Sequence, residues 1–316
     1  MRTVLIASLL LGGLALSYVG GGRAASGASG PSGTPWHPDL DAALEVARAE
    51  GKDLLVDFTG SDWCGWCHRL DGEVFTQEAF LAPAAAAYVL VALDFPRPGG
   101  AVEAAMSPEL RARNAAHRDA LGVHGYPTVM LLTPEGVVYG RTGYQPGGAG
   151  AYLEHLRAFG AQREDVARLL ADVASPAASP DARLAAAHAL VGRTLPARRR
   201  PLLDVIAAHD PQDERGVLAS AALADFARVH LQVEAPDWVA VSDGLAALAL
   251  ERPSVTAQPD YHLWMGVALG QQGRAERALA HLVEARDGGG MSEDAFVEAQ
   301  RLAGLVDADG RARAGR

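Results

Sequence analysis

The chain has 316 residues, 49% of them hydrophobic and 21% charged, with 28 basic against 38 acidic side chains, a formal charge of -10 and two cysteines. That apolar fraction excludes a disordered tail protein, so few cysteines exclude a disulfide-stapled mini-protein, and the length suits about two domains. The negative balance, in which Lys52 is the single lysine, argues against nucleic acid as a partner, because neutralising phosphates needs clustered basic side chains.

Arg2 precedes an apolar run from Val4 to Val19, and the small-residue stretch Gly20 to Gly33 follows it. The run is shorter than the roughly 20 residues a spanning helix needs. Residues 1–28 therefore read as a cleaved signal peptide and 29–35 as a flexible linker, and the mature protein is expected to be exported, periplasmic or extracellular, with no membrane contact beyond the signal. Residues 36–160 then alternate helix and strand. Asp39 to Glu50 places Leu40, Ala43, Leu44 and Val46 at helical spacing and stops at Gly51. Leu54 to Phe58 reads as a buried strand, and helical pattern resumes near Trp63 and runs, with a break near Gly72, through Phe80. A strand over Tyr88 to Phe95, a helix over Pro108 to Leu121, a strand over Thr128 to Thr133, a returning hairpin strand over Val137 to Arg141 and a helix over Gly150 to Phe159 complete a compact α/β layout.

The chemistry of the chain is concentrated at Trp63-Cys64-Gly65-Trp66-Cys67-His68, which holds both cysteines. The spacing lets them close a small disulfide. At an exposed strand-to-helix turn the leading thiol faces unpaired backbone N–H groups and the positive end of the helix dipole, which favours its thiolate. The thiolate is the species that attacks a disulfide, so Cys64 is the predicted nucleophile and Cys67 the resolving thiol.

These residues resemble the thioredoxin-like family. Leu54-Leu55-Val56-Asp57-Phe58 looks like its central strand, and the resemblance implies that Asp57 shuttles protons for Cys67. The spacing from Asp57 to Cys64 is one residue longer than in the shortest thioredoxins, and the extra residue within Thr59-Gly60-Ser61-Asp62 is similar to an exported branch of the family. Gly125-Tyr126-Pro127-Thr128 resembles the cis-proline loop. The resemblance implies that Pro127 lies against the cysteine pair, that the Tyr126 backbone pairs with a substrate strand, and that Gly143 gives substrate close access. Trp63 and Trp66 are the expected aromatic flank of the site, Trp66 within the dipeptide where the family tunes its redox potential. The implied activity is reduction or exchange of protein disulfides through a redox-active Cys64–Cys67 pair, with protein thiols or disulfides and an electron donor or acceptor as partners.

Blander readings stand beside these. The cysteines make a structural disulfide or a buried thiol pair, Asp57 a solvated strand-end acid, the tryptophans packing residues, and Pro127 an ordinary trans turn. His68 is expected on the helix surface. Cys64-Gly65-Trp66-Cys67-His68 also fits c-type haem attachment, in which both thiols form thioethers, His68 ligates iron, and Met106, Met130, Met265 or a histidine is the second ligand. That reading has no use for the Leu54 to Phe58 strand, Asp57 or the Tyr126-Pro127 turn, all of which the thioredoxin-like reading needs. His37, His117, His155, His188 and His230 have no metal-ligand spacing, and no phosphate-binding glycine loop follows a strand, so neither metal nor further cofactor is predicted.

Residues 161–316 lose the strand pattern and divide at Pro and Gly into about eight helical segments. Tyr261 to Gln272, Gly273, and Arg274 to Arg286 are similar to one tetratricopeptide repeat, with Gly266 and Ala278 small enough for close helix packing. The predicted fold is thus an α/β thioredoxin-like fold followed by an all-α helical-hairpin domain. Its helical part is expected to bind a protein partner, to orient the redox domain, or simply to pack. In the competing class the thioredoxin-like part is a non-catalytic scaffold for that helical interaction domain, which leaves two intact cysteines without a purpose.

Overall fold

The computed structural model describes residues 35–231, 235–289 and 291–307; the segment read as a signal peptide and the linker up to residue 34 lie outside these. Five strands form one sheet in the order β1-β3-β2-β4-β5, comprising β1 (Trp36–His37), β2 (Asp53–Thr59), β3 (Tyr88–Asp94), β4 (Thr128–Leu132) and β5 (Val138–Thr142). The β1/β3 and β2/β3 pairs are parallel, whereas β2/β4 and β4/β5 are antiparallel. Helices α1 (Leu40–Glu50), α2 (Gly65–Leu70), α3 (Glu78–Ala87), α4 (Ala101–Ala105), α5 (Pro108–Ala120) and α6 (Gly148–Arg157) connect and cover the strands.

Local chemistry accounts for these boundaries. The Asp39 carboxylate accepts from the Asp41 and Ala42 N–H groups and starts α1, and Gly51 ends it at φ 65°, where a side chain would be strained. Ser107 caps α5 ahead of Pro108, whose missing N–H costs nothing in the first turn. The helix expected to run from Trp63 to Phe80 is instead α2, a π-helical turn over Asp71–Phe75 and α3, with Gly72 inside the π turn.

Strand β2 is buried on both faces, so its apolar run alternates between two cores. Leu54, Val56 and Phe58 join Val91, Leu93 and Met130 on one face. Leu55 joins Leu70, Val74, Phe75 and Val129 on the other. The two-residue period puts Asp57 on the Leu55 face, beneath α2 and the π turn.

That second core does not stop at residue 160. It continues through Val166, Val173, Leu190, Leu202, Ile206 and Leu218, contributed by α7 (Gly160–Ala174), α8 (Pro180–Val191), α9 (Arg200–His209) and α10 (Val217–His230). Backbone pairing reinforces the join: the Val138 N–H donates to Arg193 O at 2.8 Å and the Leu195 N–H to Gly136 O at 3.0 Å. An ion pair between Arg163 and Asp53 at 2.7 Å adds to it. The first helices of the C-terminal half are therefore part of the wall of the redox domain.

Helices α11 (Trp238–Glu251), α12 (Pro259–Gln271), α13 (Ala275–Gly289) and α14 (Glu293–Leu302) follow, with smaller cores of their own. The α12/α13 hairpin matches the expected helix pair and turns at Gly273, φ 77°. A Cβ on Gly266 would stand 2.8 Å from Leu282 Cδ2 and 3.0 Å from Ala278 O. Gly266→Ala is accordingly expected to cost about 1–3 kcal/mol of stability by overpacking, read as a lower urea midpoint. An unchanged midpoint would show that the helices are free to separate.

Candidate active site

The site is built on the turn between β2 and α2. Gly60 O accepts from the N–H groups of Trp63 (3.2 Å) and Cys64 (2.9 Å), which folds the loop back over the end of the strand. Ser61 donates both its N–H (2.9 Å) and its hydroxyl (2.5 Å) to the Asp94 carboxylate at the end of β3. Asp62 accepts from the Arg97 N–H at 3.0 Å. The extra residue of this loop is thus absorbed by ties to β3, and Asp57 keeps its sheet register opposite Ala92 and Val129.

Cys64 is the N-cap of α2, and its Sγ accepts from the Cys67 N–H at 3.2 Å. The two cysteines are joined as a disulfide. Cys64 is only 5% exposed and Cys67 1%, so the leading sulfur is less open than a surface turn implies. Trp63, beside it, donates its indole N–H to Phe95 O at 2.8 Å and meets the Tyr126 ring at 5.6 Å. The Tyr126–Pro127 peptide bond is cis. Gly143 closes against this turn, since a Cβ there would lie 3.0 Å from Pro127 O. Cys64, Cys67, Trp63, Tyr126, Pro127 and Gly143 therefore converge on one end of the sheet.

Trp66 is 57% exposed and is braced rather than packed. Its ring contacts Tyr144 at 5.3 Å and lies under the Arg69 guanidinium at 5.6 Å. Glu73 ties the two together, accepting from the Tyr144 hydroxyl (2.6 Å) and from Arg69 Nε (2.7 Å). Those hydrogen bonds, the Tyr144 one first, hold the Glu73 carboxyl below its ordinary value. Sequence reasoning missed this brace, although Arg69 and Glu73 stand four apart and Tyr144 directly follows Gly143.

Asp57 is 3% exposed, and its Oδ1 has no hydrogen-bond partner among the described residues. Burial, followed by repulsion from Asp71 and Asp94, pushes its carboxyl well above the usual carboxylate range. Asp71, one helical turn beyond Cys67, is also raised, by burial and by Asp94 against the lowering effect of His68. A buried acid with its carboxyl raised well above the usual range, on the face of β2 covered by the helix of the resolving thiol, is equipped for proton transfer. Neither Asp71 nor Asp94 stood out in the sequence, because only the fold brings them near Asp57.

His68 is exposed, and its Nε2 is 2.8 Å from Ser61 O. The elements for which the c-type haem reading has no use, strand β2 with the buried Asp57 and the Tyr126–Pro127 turn against Trp63, are all present. Among the described residues no group of three or more His, Cys, Asp or Glu could hold a metal ion.

A mixed sheet whose central strand runs into a helix capped by a redox disulfide, with a cis-proline turn set beside it, defines a thioredoxin-like domain. Residues 35–134 match the family model described as thioredoxin-like, and this part of the chain is such a domain. The chain is similar to the disulfide bond reductase DsbH of Chlamydia pneumoniae, 30% identical over 115 residues that span 36% of this chain and 66% of that protein. It is also similar to the thioredoxin-related protein DsbJ of the same organism, 29% identical over 100 residues, 32% of this chain and 27% of the relative. The chain thus spans just under two thirds of the first relative's length and about a quarter of the second's. The solved structure of a DsbH oxidoreductase aligns over 39% of this chain and 82% of its own, at 28% identity and a TM-score of 0.36.

Proposed function

We propose that the protein is an exported thiol-disulfide oxidoreductase that works on protein disulfides in the reductive direction. The observation that carries this reading is the Cys64–Cys67 disulfide at the N-cap of α2, set above the buried Asp57, whose raised carboxyl is a stronger base than an ordinary one. In the reduced enzyme the Cys64 thiolate attacks one sulfur of a substrate disulfide, whose S–S bond breaks as the new mixed disulfide forms. The Cys67 thiolate, its proton taken up by ionised Asp57, then attacks Cys64 Sγ and expels the second substrate thiol. Two electrons pass to the substrate, the enzyme is left as the observed disulfide, and an electron donor must reduce it again. The Trp63, Trp66, Tyr126 and Gly143 surface receives the substrate strand in this reading, beside Pro127.

Similarity to a protein called a disulfide bond reductase supports the reductive direction. A reduction potential near about -270 mV agrees with it, whereas about -120 mV would make the protein an oxidant. Trp66→Ala is expected to raise the KM for an insulin-type disulfide about tenfold while leaving the thiol chemistry intact, because it removes exposed aromatic contact area rather than a reacting group. A fall in kcat alone would place Trp66 in the chemistry instead.

Export rests on the Val4 to Val19 run. Secreted protein should begin near residue 29, and a mass spectrum starting at Met1 would overturn cleavage. Among the described residues no helix is long and apolar enough to cross a membrane. For the helical region the shared core favours a role in orienting the redox domain, with binding of a protein partner as the added proposal.

A further inference from the structure

Beside the disulfide, between the ends of β2 and β3 and the helices α4 and α5, lies a cavity of about 590 Å³. Its polar lining includes Asp57, Thr59, Asp71, Asp94 and Asn114. Three of these are more than nine-tenths buried and lack partners among the described residues: Asp57 at Oδ1, Thr59 at its hydroxyl, and Asn114, 1% exposed, at both ends of its amide. Leaving such groups unpaired costs about 1–3 kcal/mol each, which a suitable ligand recovers. Apart from Ser61 and Ser107 the remaining wall is apolar, and it includes Met106 and the Trp36 and Phe75 rings, which meet at a 4.9 Å centroid distance, tilted by 46°.

Charge selects among ligands of that shape. Three carboxyl groups line the cavity, and no lysine, arginine or histidine is among its described lining residues. Burial and neighbouring acids raise the carboxyls of both Asp57 and Asp71, the latter against the lowering effect of His68 outside the cavity lining. An anion is repelled here, and no three-ligand metal group exists among the described residues. The matching occupant is an organic cation of small-ligand size, since pockets for such molecules run to about 300–1,000 Å³.

We propose that this cavity binds a small primary amine carried on an aromatic or aliphatic body, with the ammonium donating to Asn114 Oδ1 and the Asp71 and Asp94 carboxylates and the body lying against Trp36 and Phe75. The aromatic wall adds a cation–π contribution to the same recognition. The cavity lining shares Asp57 with the proposed mechanism but none of Trp63, Trp66, Tyr126 or Gly143, and binding is read by titration without turnover.

Calorimetric titration of the full chain with phenethylamine, 2-phenylethanol and 3-phenylpropionate tests it. The amine should bind saturably and at least about tenfold tighter than the alcohol, and the carboxylate should not bind. Asn114→Leu should weaken the amine roughly tenfold by removing one hydrogen bond to a charged group. Ala105→Trp, which fills the cavity from an exposed position on α4, should abolish binding, and it decides the matter if circular dichroism shows Asn114→Leu misfolded. Equal affinity for amine and alcohol, preference for the carboxylate, absence of saturable binding, or binding that survives Ala105→Trp would each overturn the proposal.

Discussion

Cys64→Ser is expected to lower insulin-disulfide reduction by on the order of 10³ or more, to the uncatalysed background. Serine keeps the N-cap position of α2 but offers a hydroxyl that does not ionise near neutrality, so the attacking anion is lost while the fold stands. An ordinary thiol is only about 3% thiolate at pH 7. Cys64 Sγ instead sits where it accepts the Cys67 N–H at 3.2 Å, and the same donor and the helix dipole favour its thiolate once the disulfide is reduced. Cys67→Ser separates the two roles. Its first attack proceeds, but nothing resolves the mixed disulfide, and the partner should be recovered covalently attached at Cys64 on a non-reducing gel. Full turnover by Cys64→Ser, or failure of Cys67→Ser to trap any thiol-containing partner, would refute the assigned order of attack.

The cysteines and their surroundings were legible because each signal is local. Asp39 and Gly51 bracket α1 by capping chemistry alone, and the Leu54 to Phe58 run reads as a strand because it is buried on both faces. Tyr126-Pro127 carries its turn in two adjacent residues. Where position depends on distant partners, the sequence was mute. The two residues of β1 are too short to show any period, and they form a strand only because β3 offers its edge. The five-residue α4 escaped for the same reason of length. Asp71 and Asp94 become electrostatic neighbours of Asp57 through packing of the π turn and through β3. The division expected at residue 160 follows a change from mixed to helical pattern, but periodicity cannot say which face of α7 to α9 rests on a sheet, and those faces complete the core containing Leu55 and Val129.

Asp57→Asn should make the protein more stable and less active at once. The folded state keeps the Asp57 proton at pH values where the unfolded chain, with an ordinary carboxyl near 3.8, has released it. Stability is therefore lost as pH rises from that ordinary value through the raised folded one, and the full penalty applies above it. Asparagine has a similar shape and no proton to lose. The variant should match the wild type near about pH 3 and gain on it as pH rises, by about 1.4 kcal/mol for each unit by which the folded carboxyl is raised. Urea midpoints compared across that range measure the gain. A stability difference that did not change with pH would mean that Asp57 is not held neutral by the fold. Turnover should fall by about 10², the usual scale for losing a positioned proton carrier, with the mixed disulfide living longer because deprotonation of Cys67 is the slowed step. A residue that merely filled space beneath α2 would lose stability and activity together. Opposite signs in the two measurements, with the stability gain growing as pH rises, are the signature of a buried acid kept for its proton.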